Sequence, residues 1–145
     1  MSGEGHEPVE REEELGRGGD VRLVVPAAPE YLRLVRLTAA GLASRLGFTF
    51  DEVEDLRIAV DELCFHLLGE MDDEDDDPSA EARTMDLTYS AGPDSITITG
   101  RTGATGAAPE PSDLSVQILD ALVDEHEVGN DDGLITFRLK KQRES

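Results

Sequence analysis

The stretch FDEVEDLRIAVDELCFHLL, Phe50 to Leu68, decides how the rest of the chain is read. Val53, Leu56, Val60, Leu63 and Leu67 recur at alternating spacings of three and four, which predicts an amphipathic helix laid on a core. The expected start is Asp51 as N-cap, with Glu54 completing a capping box and Phe50 before the cap as a hydrophobic staple. Ile58, Glu62 and His66 form a second line on a neighbouring face, and Glu62 and His66 are one turn apart. The residues alone allow several readings of that pair. It could be catalytic, a pair of metal ligands, a simple hydrogen-bonded couple, or the remains of an older site. Two ligands fall short of the set a zinc ion needs, so no metal is expected.

Upstream, VRLVVPA (Val21 to Ala27) reads as a strand with Leu23 and Val25 on one face, ended by Pro26. A helix follows, with Pro29 in its first turn, Leu34, Leu42 and Leu46 at helical spacing, and Gly47 closing it. Downstream, the acid run from Asp72 to Asp77 and then Pro78 break the central helix. Like charges there favour an exposed loop, and the glycine and closing acid of a calcium loop are missing. RTMDLTYSAGPDSITITG reads as a hairpin turned at AGPD, with Met85, Leu87 and Tyr89 alternating and then Ile96 and Ile98. The Gly/Ala/Pro-rich link RTGATGAAPEP leads to a third helix with Leu114, Ile118 and Leu122 in line. A last hairpin turns at GNDDG and buries Ile135, Phe137 and Leu139. The order β-α-α-β-β-α-β-β, with one apolar stripe per helix, predicts an α+β two-layer sandwich. Three helices should cover one face of a mostly antiparallel sheet.

The length of 145 residues suits one domain with a hydrophobic core, and with 4% aromatic residues and no Trp that core must be aliphatic. A net charge of −20 argues against nucleic acid and anionic lipid as partners and favours proteins with basic patches. Cys64 is the sole cysteine, so no internal disulfide is possible; a buried, inert thiol is expected. No apolar run reaches the roughly 18 residues of a membrane span. The acidic N-terminus lacks the pattern of a signal peptide, so a cytoplasmic location is expected. Residues 1–20 read as a disordered acidic arm, 21–141 as the folded domain and 142–145 as a C-terminal tail. No nucleophile motif, HExxH, phosphate loop or repeat is visible.

With these segments in place, the sequence resembles the anti-sigma factors of the RsbW and SpoIIAB type, which have the GHKL (Bergerat) ATPase fold. Its greatest likeness is to the shorter actinobacterial version, the UsfX type. The resemblance covers roughly Val21 to Lys141 and is carried by FDEVEDLRIAVDELC and by ILDALVDEHEV. It implies a GHKL ATPase-like fold and places Glu62 at the glutamate of the N box, which assists phosphoryl transfer in kinase members. His66 stands where those members carry a magnesium-binding Asn, and imidazole is a poor magnesium ligand. The position of the adenine-binding Asp falls on Gly100 or Arg101, neither of which offers a side-chain acceptor. The later glycine box aligns with Asp113 to Ser115, where a carboxylate would cap the helix and repel a triphosphate. With three features altered at once, the ATP and magnesium site reads as degenerate: no cofactor is assigned, and catalysis is not expected.

The resemblance further implies that the first helix grips an alternative sigma factor. Arg36 falls at the family's central arginine, and Arg33 lies one turn earlier on the same face. A STAS-type anti-anti-sigma protein would release the sigma factor, and the chain would be a homodimer. The alternative is an active serine-protein kinase that phosphorylates the STAS antagonist, with Glu62 in phosphoryl transfer.

Overall fold

The computed structural model describes residues 20–68, 83–103, 111–131 and 133–144. The acidic arm before Asp20, the Asp72 to Asp77 run and most of the link before the third helix lie outside these residues. The elements are β1 (Asp20–Pro26), a 3-10 turn (Pro29–Tyr31), α1 (Leu32–Arg45), α2 (Phe50–Leu68), β2 (Thr84–Ala91), β3 (Ser95–Gly103), α3 (Asp113–Leu122), β4 (Glu125–Asp131) and β5 (Leu134–Gln142). The five strands form one sheet in the order β1-β2-β3-β5-β4, and every neighbouring pair is antiparallel. The expected α+β architecture and element order are what the chain adopts.

Alternation along each strand places Met85, Leu87, Tyr89, Ile96, Ile98, Ile135, Phe137 and Leu139 under the helices, all buried. The opposite face stays polar. There Arg22 grips Asp86 through Nε and Nη2 at 2.9 and 2.6 Å, and Arg101 reaches the same carboxylate at 3.4 Å. Gly100 sits on the covered face opposite Leu87 and Phe137. A Cβ there would lie 2.6 Å from Phe137 Cε2 and 2.8 Å from Leu87 Cδ1, so the two side chains fill the space that glycine leaves.

On α2 the stripe Val53, Leu56, Val60, Leu63 and Leu67 is buried as its spacing predicts, joined by Ala59, Cys64 and Leu68. Burial pushes the Cys64 thiol up to about 12, which leaves it unreactive. The helix start differs from expectation. Thr49 is the cap, not Asp51: its Oγ1 accepts from Glu52 N at 3.1 Å, while Glu52 Oε1 accepts from Thr49 N at 2.7 Å. Both Thr49/Glu52 and Asp51/Glu54 fit the capping-box spacing, and packing chooses between them. With Thr49 as cap, Phe48 and Val53 take the staple positions and both are buried, whereas Phe50 is 77% exposed. Glu54 instead pairs with Arg57 at 2.6 Å.

Two other helix faces are also rotated from expectation. On α1 the buried residues are Leu32, Val35, Ala39 and Ala43, and Leu34 is exposed. Tyr89 Oη fixes the rotation by donating to Val35 O at 3.0 Å. On α3 only Leu119 is buried and Leu114 points outward. Gly47 closes α1 with φ of 87° and Gly133 turns the last hairpin with φ of 82°, both conformations that favour glycine. Past β5 the chain stays attached. Arg143 Nη2 donates to Asp94 Oδ1 at 2.9 Å, and Glu144 N donates to Glu52 Oε2 at 2.7 Å.

Candidate functional site

Glu62 and His66 lie together on the half-buried flank of α2, but they do not bond as a pair. The Glu62 Oε2 oxygen accepts the hydroxyl proton of Ser115, in the first turn of α3. His66 Nε2 is buried and has no hydrogen-bond partner among the described residues. Burial holds the imidazole below its ordinary pKa of 6.5, so His66 is neutral at pH 7. No group of three or more His, Cys, Asp or Glu residues that could hold a metal occurs among the described residues.

Gly100, Arg101 and Asp113, which the resemblance sets at the adenine and phosphate boxes, lie on β3 and at the start of α3. Gly100 faces the core against Phe137 and Leu87. Arg101 projects from the far side of the sheet toward Asp86. At α3 the N-cap is Ser112, whose hydroxyl accepts from Ser115 N at 3.1 Å. The cap expected from a carboxylate at Asp113 is therefore filled by the preceding serine, and Asp113 occupies the first helical turn, where its charge suits the helix dipole.

Arg33 and Arg36 both belong to α1. Arg33 is exposed and makes no hydrogen bond or ion pair among the described residues. Arg36 is half-buried, and its Nη1 meets both oxygens of Asp61 on α2 at 3.0 and 2.8 Å. The structure thus brings Arg36 to the seam between α1 and α2, and keeps Arg33 one turn away on the same helix. Sequence reasoning missed Asp61 and Ser115. Each is joined to its partner across a long sequence separation, 25 residues for Arg36–Asp61 and 53 for Glu62–Ser115, so no local spacing reveals either contact.

Comparison with known proteins adds an independent line. No family model matches the chain. It is 57% identical over 44 residues to the serine-protein kinase RsbW of Bacillus subtilis (strain 168), a match covering 30% of this chain and 28% of that protein. It is 44% identical over 54 residues to the serine-protein kinase RsbW of Halalkalibacterium halodurans, covering 37% of this chain and 33% of that one. The matched segments thus span about a third or less of these relatives. The fold is similar to that in the crystal structure of the RsbU and RsbW domains of Rv1364c from Mycobacterium tuberculosis. That match has a TM-score of 0.64 and 14% identity, over 86% of this chain and 32% of that one. At that identity the likeness speaks for the fold alone.

Proposed function

We propose that this chain is an RsbW-type anti-sigma factor: it sequesters an alternative sigma factor and yields it to a STAS-type anti-anti-sigma antagonist. The observation that carries the reading is the outward face of α1, where Arg33, Leu34 and Leu37 are exposed and Arg36 is held at the seam with α2. Sigma factors act with RNA polymerase core, which sets the cytoplasm as the place of action. The homodimer and the actinobacterial UsfX-type subclass belong to the same reading.

The side chains at the former nucleotide positions do not fit a magnesium nucleotide. Glu62 is engaged by Ser115, an imidazole stands where magnesium would need a hard oxygen ligand, and Gly100 has no room for an adenine-binding carboxylate. Release of the sigma factor would then depend on the supply of the antagonist, or on its phosphorylation by another kinase.

A second reading is an active serine-protein kinase of the same type. It is favoured by the similarity to serine-protein kinases of the RsbW type. Stoichiometric binding of ATP separates the two.

The test is affinity co-purification of the tagged chain from its own cells, read by mass spectrometry, beside an Arg36→Glu control. Recovery of a sigma factor that the control loses supports the proposal. Recovery of a STAS protein alone, or of no partner, overturns it.

A further inference from the structure

Helix α1 carries Arg33, Arg36 and Arg45 and no Asp or Glu, in a chain whose net charge is −20. This local excess of positive charge favours an acidic partner surface. The way Arg36 is held sharpens that statement. Asp61 takes up only Nη1, at 3.0 and 2.8 Å. Nη1 lies on the opposite edge of the guanidinium from the Nε–Nη2 fork, the edge that grips a carboxylate through two parallel bonds. Neither Nε nor Nη2 makes a hydrogen bond among the described residues, and neither is sealed from solvent.

The surroundings of the ion pair are apolar and open. On α2, Ile58 and Phe65 lie one turn to either side of Asp61 and are 49% and 58% exposed. On α1, Leu37 follows Arg36 and is exposed. A half-buried ion pair between flexible side chains adds only modestly to folding stability. What such a pair does alter is the freedom of a long side chain, which a partner would otherwise have to immobilise on binding.

We infer that Asp61 is a positioning residue for partner binding. It fixes Arg36 so that the free Nε–Nη2 fork meets a carboxylate of the partner, while Leu37, Ile58 and Phe65 receive the apolar side chains around it. The inference rests on the anti-sigma reading of α1, and the occupant it commits to is an apolar segment of the sigma factor that carries an acidic side chain.

The test uses the purified sigma factor recovered with the wild-type chain, titrated calorimetrically against wild type, Asp61→Ala, Asp61→Asn, Arg36→Ala and the Arg36→Ala/Asp61→Ala double variant. Asp61→Ala is expected to weaken binding about tenfold, or about 1.4 kcal/mol, with at most a small fall in the urea midpoint. Asp61→Asn recovers part of the loss, because the amide oxygen still accepts from Nη1. In the Arg36→Ala background the Asp61 substitution has no further effect, since it acts through the arginine. Asp61→Ala binding as tightly as wild type, or more tightly, overturns the inference, as does an equal loss in both backgrounds. A wild-type chain that binds no sigma factor overturns the functional reading and this inference with it.

Discussion

Ser115, in the first turn of α3, donates a hydrogen bond from its hydroxyl to Glu62 on the flank of α2 and so ties the two helices together. A carboxylate occupied in this way has a structural partner, and the bond should be measurable as stability.

Ser115→Ala is expected to destabilise the fold by about 1 kcal/mol. That is less than the roughly 1.5–3 typical of hydrogen bonds to charge, because Glu62 retains partial contact with water. Urea unfolding of the variant beside Ser115→Thr, which keeps a hydroxyl, measures it. A Ser115→Ala midpoint equal to wild type would show that the contact contributes nothing.

Magnesium-ATP should leave the thermal midpoint unchanged. A ligand held at 100 times its Kd adds about 2.7 kcal/mol of stability, so thermal scans at about 1 mM nucleotide detect binding far weaker than a working kinase site needs. A rise of several degrees would favour the kinase reading over the anti-sigma one, and Glu62→Gln would then be tested for loss of phosphoryl transfer.

Gly100 and Gly41 should respond to alanine with opposite signs. At Gly100 the new Cβ meets Phe137 Cε2 at 2.6 Å and Leu87 Cδ1 at 2.8 Å, and overpacking of this kind costs about 1–3 kcal/mol. At Gly41, on the exposed side of α1, it meets nothing within 4 Å, and the helix gains about 0.5–1 kcal/mol from the lost flexibility of the unfolded chain. Denaturant midpoints of the two variants check the pair. Equal responses would mean that Gly100 is not packed as described.

These contrasts also show what the sequence could and could not reveal. The α2 stripe from Val53 to Leu67 and the alternation of Met85, Leu87 and Tyr89 were legible because each is a periodic burial pattern that repeats over several residues. On α1 and α3 the leading leucines of the expected stripes, Leu34 and Leu114, lie outside the core, while Leu42, Leu46 and Leu122 pack against it. On α1 the inward side is set by Ala39 and Ala43 and by the Tyr89–Val35 bond from another element, and Leu34 is left in solvent. Of the candidate site, the shared flank of Glu62 and His66 and the placement of Arg33 and Arg36 on one helix could be read from spacing. Ser115 and Asp61 could not, because contacts across 53 and 25 residues are created by tertiary packing.

The cap of α2 carries a pH dependence. Glu52 closes the capping box with Thr49 and also receives Glu144 N, and these bonds, with that from Glu144 foremost, hold its carboxyl below the ordinary 4.5. A depressed folded pKa means the unfolded chain binds the proton more readily. The stabilisation is therefore complete above pH 4.5 and is lost as pH falls from 4.5 through the lower folded value. Thr49→Ala should cost about 1 kcal/mol at pH 7, while Asp51→Ala, which removes the cap expected from sequence, should cost no more than a few tenths. Glu52→Gln keeps the shape without the charge, so its difference from wild type should shrink as the buffer is taken from pH 6 toward pH 3. Urea midpoints across that range settle the point. A difference that stays constant with pH would remove Glu52 as the group whose ionisation holds the start of α2 to the segment after β5.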